Sequence, residues 1–148
     1  MRYYAVFDNN VLVSSLLTHR ADSATAKVVN AIAQGTLIPL YNQDILEEYD
    51  EVLHRSKFPF SEQRIERLLR LFRQFGIAVN PTPTGEILPD MDDLVFYEVV
   101  MEKRQDDAYL ITGNLRHFPA KAWIVTPAEM MALLEHKQPF PPLNDTSL

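Results

Sequence analysis

The sequence predicts an α/β fold: a three-layer αβα sandwich around a central, mostly parallel five-stranded sheet. Two observations carry this prediction. Short apolar runs rich in β-branched and aromatic residues alternate with segments of helical period along the chain. That alternation is the pattern of a parallel sheet covered on both faces. In addition, acidic or amide side chains follow several of the strand-like runs, where parallel sheets gather their ligand crevices.

Residues 3–7 read as a buried strand, and Asn10 to Leu17 as a short helix that begins soon after Asp8. Ala21 to Gln34 reads as a second helix, with Asp22 or Ser23 as its cap and Gly35 at its end. Thr36 to Tyr41 is the second strand. Asn42 is suited to cap the next helix, which runs to about Arg55 before Phe58-Pro59-Phe60 breaks it. Ser61 caps the clearest helix, whose Ile65, Leu68, Leu69, Phe72 and Phe75 share a face and which Gly76 stops. Ile77 to Val79 is a short third strand. Asn80 to Pro89, with its prolines and glycine, is loop. Asp90 opens a helix through about Arg104, and residues 108–112 and 122–125 are the last two strands. Thr126-Pro127-Ala128-Glu129 combines a capping box with proline at the first helical position, and this helix ends near His136. Residues 1–136 therefore form one domain, followed by a Pro-rich tail over 137–148.

A chain of 148 residues suits one domain with one core. Its apolar fraction of 47% and charged fraction of 23% are ordinary for a globular protein. No apolar run approaches the roughly 20 residues of a membrane span. Met1-Arg2-Tyr3 leads straight into a strand without a signal-peptide pattern, so a cytoplasmic protein is expected. The absence of cysteine excludes disulfides, thiolate metal sites and cysteine nucleophiles. A net charge of −6 argues against a protein that coats nucleic acid, but not against a nuclease whose acids hold metal. Arg55, Lys57, Arg64, Arg67, Arg70 and Arg73 hold six of the fourteen basic residues in one stretch, where a solvated helix surface accounts for them.

Asp8, Glu48, Asp93 and Asn114 are the candidate site. Asp8 stands at the exit of the first strand, where a helix start presents N–H groups. Glu48 borders the apolar side of its helix, whereas Glu47, Asp50 and Glu51 face away. Asp90, Asp92 and Asp93 exceed what capping requires. Asp93, three residues before Phe96, is the one on the buried side, with Asp92 in reserve. Gathered carboxylates repel: two unit charges ~4 Å apart at a dielectric of ~20 cost about 4 kcal/mol. A hard divalent cation answers that repulsion. Gly113 allows close backbone approach before Asn114, Arg116 can meet a phosphate, and His117 reads as structural.

Taken together, these segments resemble the PIN-domain family, in particular its branch of toxins from bacterial toxin–antitoxin pairs. The family's opening Asp-Thr-Asn-Val-Leu is similar to Asp8-Asn9-Asn10-Val11-Leu12, and its glutamate before an aromatic or leucine to Leu46-Glu47-Glu48-Tyr49. Its Asp-Pro-Asp-Asp block resembles Asp90-Met91-Asp92-Asp93, and its Thr-Gly-Asp resembles Thr112-Gly113-Asn114. Val125-Thr126-Pro127-Ala128-Glu129 also fits, so the likeness runs through Leu134. The resemblance implies a Mg²⁺- or Mn²⁺-dependent ribonuclease that leaves 5′-phosphates. Asp8, Glu48 and Asp93 would hold the metal, and Asn114 would position water or substrate. Asn10, which fixes Asp8, would lie against the substrate with Thr112 and Arg116. It also implies an antitoxin partner and a possible homodimer.

Two positions depart from the family. Asn9 replaces a threonine, and Asn114 replaces the fourth aspartate, so a second metal should bind less tightly. Two alternatives follow. A catalytically weak or inactive PIN fold would bind RNA or protein without cutting. A Mg-dependent phosphatase of the haloacid dehalogenase type also opens with Asp after its first strand. It wants a second aspartate where Asn10 stands, and a dedicated lysine that is not evident.

Overall fold

The computed structural model describes residues 2–136; the Pro-rich tail expected over 137–148 lies outside them. Strands Tyr3–Phe7 (β1), Leu37–Tyr41 (β2), Ile77–Ala78 (β3), Tyr109–Ile111 (β4) and Ile124–Val125 (β5) form one sheet in the order β3-β2-β1-β4-β5. Every pairing in it is parallel. Helices Asn9–Leu17 (α1), Ala24–Ala33 (α2), Gln43–Leu53 (α3), Glu62–Phe75 (α4), Leu94–Glu102 (α5) and Pro127–His136 (α6) connect and cover it. Consecutive residues of a strand face opposite sides. Ala5, Val6 and Phe7 in β1, and Leu110 and Ile111 in β4, are all fully buried, so both faces of the sheet are covered.

Local chemistry sets the boundaries. Ser23, not Asp22, caps α2, its Oγ accepting from Ala26 N–H at 3.2 Å, while Asp22 is drawn off by Arg20. Asn42 and Ser61 cap α3 and α4 through Ile45 and Arg64 N–H. The capping box closes in both directions, Thr126 N–H to Glu129 at 2.8 Å and Glu129 N–H to the Thr126 hydroxyl at 3.1 Å. The helix expected from Asp90 is divided. The Asp90 carboxylate accepts from Asp92 N–H at 3.0 Å and winds Met91–Asp93 into a 3-10 turn before α5 begins. Gly76 has an ordinary φ of −93°, yet glycine is required there: a Cβ would lie 2.5 Å from the Phe72 carbonyl and 2.7 Å from that of Pro39. Phe75, expected on the buried face of α4, is 41% exposed at the helix's last position, next to the exposed edge strand β3.

An aromatic group anchors the carboxyl end of β1. The Phe72 ring meets Phe7 at 5.4 Å and Tyr49 at 5.2 Å, edge to face, and Tyr49 stacks on Phe96 at 6.0 Å. Tyr49 is fully buried, and its hydroxyl donates to the Phe7 carbonyl at 2.5 Å. That bond ties α3 to the residue before Asp8, and fixes the rotation of α3 that turns Glu48 toward the same end of the sheet. No helix of the described residues is long and apolar enough to cross a membrane.

Candidate active site

Three polar side chains are buried among the described residues: Asp8, Asp93 and Thr112. Asp8 and Thr112 follow the carboxyl ends of β1 and β4, which are neighbours in the sheet. Asp8 occupies the N-cap position of α1, but its carboxylate makes no capping bond. Oδ2 instead accepts from the Thr112 hydroxyl at 2.8 Å and from Asn10 Nδ2 at 3.1 Å. The same hydroxyl accepts from Asn114 N–H, and Asn10 Oδ1 accepts from Gly113 N–H, both at 2.9 Å. Side-chain bonds thus lock the turn after β4 onto the turn after β1. Gly113 belongs to that lock, since a Cβ there would approach Asn10 Oδ1 to 3.3 Å.

Asp93 meets this group through His117. Asn114 Nδ2 lies 3.0 Å from His117 Nε2, and His117 Nδ1 lies 3.2 Å from Asp93 Oδ2. With the Asn114 amide donating to Nε2, the proton of a neutral ring sits on Nδ1 and is given to Asp93. Glu48 is half-buried and accepts from Asn9 Nδ2 at 3.0 Å, leaving the buried Asn9 Oδ1 without a hydrogen-bond partner. Asn9, Asn10, Glu48, Asp90, Asp92 and Asp93 line one open cleft of about 280 Å³. The three acids of the 90–93 region have separate places: Asp90 caps, Asp92 is exposed, and Asp93 is buried.

Both buried carboxyls release their protons less readily than an ordinary aspartate. Burial raises that of Asp8, against the pull of Thr112, Asn9 N–H, His117 and Asn10. Asp93 is raised from 3.8 to about 6, first by burial, then by the negative charges of Asp8 and Asp90, with His117 opposing. Two carboxyls that each resist ionisation at one cleft are an electrostatic deficit that a cation removes. Among the described residues, no three His, Asp or Glu side chains converge closely enough to cage an ion. The donor set is all hard oxygen, and Mg²⁺ is commonly held by one or two carboxylates with several waters retained. The residues present therefore fit a hydrated divalent ion, not a closed structural site.

Glu48 and Asp93 accordingly line one cleft, and Asp8 is buried behind it, bonded to Asn10 of the lining. Asn114 lies beside it, with its amide directed to His117. Asn10 lines the cleft and also braces Asp8. Thr112 is fully buried, so it has no surface with which to touch a substrate; its hydroxyl sets the position of Asp8 from below. Arg116 is exposed and lines a second, adjoining cleft with Asn10, Gly113 and Asn114. The sequence reading of His117 as structural agrees with its bridging role, but the partners of His117 and Asn9 were not foreseen. Each works through a partner on another element, 24 residues away for His117 and 39 for Asn9, so no local pattern marks them.

No curated protein and no solved structure matches the chain significantly. A PIN domain family model matches residues 4–116, from β1 through the turn after β4, short of the stretch through Leu134 that the motifs cover. With most of its length matched and a five-stranded parallel sheet carrying acids at its carboxyl end, the chain belongs to the PIN-domain family, whose members are generally divalent-metal-dependent nucleases.

Proposed function

We propose that this chain is a Mg²⁺- or Mn²⁺-dependent endoribonuclease that hydrolyses RNA phosphodiester bonds. We further propose that it is the toxin of a cytoplasmic toxin–antitoxin pair, built as one PIN-like domain over residues 1–136. One observation carries the nuclease reading: the buried polar residues Asp8, Asp93 and Thr112 meet at the carboxyl end of the sheet, beside a cleft that Glu48 shares.

Asp8, Asp93 and Glu48 would hold the metal directly or through water. The chemistry supplied by a bound divalent ion is acidification of a water and neutralisation of charge on the phosphate. Thr112 and Asn10 keep the Asp8 carboxylate from turning back to cap α1. His117 holds Asp93 toward the cleft, and Asn9 holds Glu48. The Asn114 carbonyl oxygen is left to orient water or substrate. Arg116, on the adjoining cleft, neutralises a phosphate outside the cutting site. An antitoxin would cover the acidic cleft with a helix or extended segment, and a homodimer would accord with the family.

A second reading is favoured by Asn114 and by the lack, among the described residues, of a three-acid cage: a PIN fold that binds RNA or protein without cutting. The phosphatase alternative loses its basis, because Asn10 donates to Asp8 where that class needs a second carboxylate. Incubating purified protein with end-labelled single-stranded RNA, with Mg²⁺, Mn²⁺ or EDTA, separates the two readings. Metal-dependent fragments with 5′-phosphates are expected. Intact RNA with both metals would support the binding module.

A further inference from the structure

The turn that joins α3 to α4 brings aromatic and basic side chains to one wall of the acidic cleft. Phe58 lines the cleft with Val13, Val52 and Arg55. Its ring lies nearly parallel to that of Phe60, 13° apart with centroids 5.3 Å apart. The Lys57 ammonium stands 5.3 Å from the Phe58 ring, and the Arg64 guanidinium 5.7 Å from that of Phe60. Phe60 packs against the hydrophobic core, but Phe58 is not part of it. Core packing therefore accounts for Phe60 and leaves the position of Phe58 unexplained.

Single-stranded RNA offers flat base faces and a chain of phosphates. Its binding sites combine aromatic rings with flanking cations. We propose that Phe58, backed by Phe60, is a stacking platform for an unpaired base of the RNA substrate, with Lys57 and Arg55 contacting the adjoining phosphates. A base that settles on Phe58 displaces the flexible Lys57 ammonium toward the phosphate. Among the described residues Arg55 is paired with Glu51, at 2.9 Å and about half in solvent, and exposed pairs of this kind yield readily. Charge complementarity selects the occupant: an otherwise acidic cleft needs cations on the wall where the polyanion enters. This platform rests on the ribonuclease reading for its substrate, and its test is separable from that reading.

The test measures affinity for a single-stranded RNA oligonucleotide by fluorescence anisotropy, in the non-cleaving Asp8→Asn background. Phe58→Leu keeps apolar volume and removes the ring; Phe58→Trp restores a larger one. A same-length oligonucleotide with abasic sites supplies the phosphates without bases. Stacking on one ring predicts a loss of about ten-fold or more for Phe58→Leu, recovery in Phe58→Trp, and a similar loss for the abasic chain. Quenching of a 2-aminopurine base should vanish in Phe58→Leu. Equal affinity of Phe58→Leu, or equal binding of abasic and normal RNA, overturns the platform, as does preference for an apolar peptide over RNA. Cleavage by the wild type alongside an unaffected Phe58→Leu discards the platform and keeps the nuclease. Base-dependent binding without any cleavage keeps the platform and discards the nuclease.

Discussion

Replacing Asp93 with asparagine tests the electrostatics of the cleft. The folded protein holds the Asp93 proton up to about pH 6, whereas an ordinary aspartate releases it near 3.8. Between those values the folded state binds more protons than the unfolded one, so stability falls as pH rises. The contribution is fully present below about pH 3.8 and lost once pH passes about 6. At about 1.4 kcal/mol per pH unit the full effect is about 3 kcal/mol, and screening in the open cleft brings it to ~1–2 kcal/mol. Asparagine keeps an acceptor oxygen for His117 Nδ1 and has no charge to desolvate. Urea unfolding of metal-free protein at pH 5 and pH 8 is the assay. Asp93→Asn should be about 1–2 kcal/mol more stable than wild type at pH 8, with the gap about halved at pH 5. Added Mg²⁺ should raise the stability of wild type at pH 8 and leave the variant almost unmoved. A variant less stable than wild type at pH 8 would show that the carboxylate is already balanced by the protein.

Three further substitutions probe the frame around the cleft. Tyr49→Phe leaves the Phe7 carbonyl buried without its donor, so thermal or urea unfolding should show a loss of about 1–3 kcal/mol. Gly76→Ala forces a Cβ against the Phe72 and Pro39 carbonyls, and should cost about 1–3 kcal/mol by the same measurement; a neutral result would contradict the crowding argument. Asn114→Asp adds a carboxylate beside the cleft, so calorimetry should show tighter Mn²⁺ binding than wild type, while unchanged affinity would place that side chain outside the metal's reach.

The fold was legible wherever a local signal had no competitor. Ser61, Asn42 and the Thr126–Glu129 box each placed a helix start correctly, because a cap acts over three residues. The start at Asp90 was legible only as a cap. Whether the backbone then winds as 3-10 or α depends on the reach of Asp90 to Asp92 N–H, which composition does not encode. Periodicity placed Phe75 on the buried face of α4, and failed because the edge strand beyond it leaves that end uncovered. The burial of Asp93 among its neighbours was legible for a physical reason: three residues before the fully buried Phe96 is the inward side of that segment. Partners chosen across the fold were not legible. His117 joins Asp93, Asn9 joins Glu48, and Phe58 reaches the cleft only through how β1, the α3–α4 turn and α5 meet.

The central claim, that the carboxylate behind β1 serves a metal-dependent nuclease, is tested most directly by Asp8→Asn. The amide preserves shape and can still accept from Thr112, so the fold should survive, as circular dichroism would verify. Single-turnover cleavage of a labelled single-stranded RNA, with Mg²⁺ and Mn²⁺, should fall by about a hundred-fold or more relative to wild type. Cleavage at the wild-type rate by the folded variant would contradict the account.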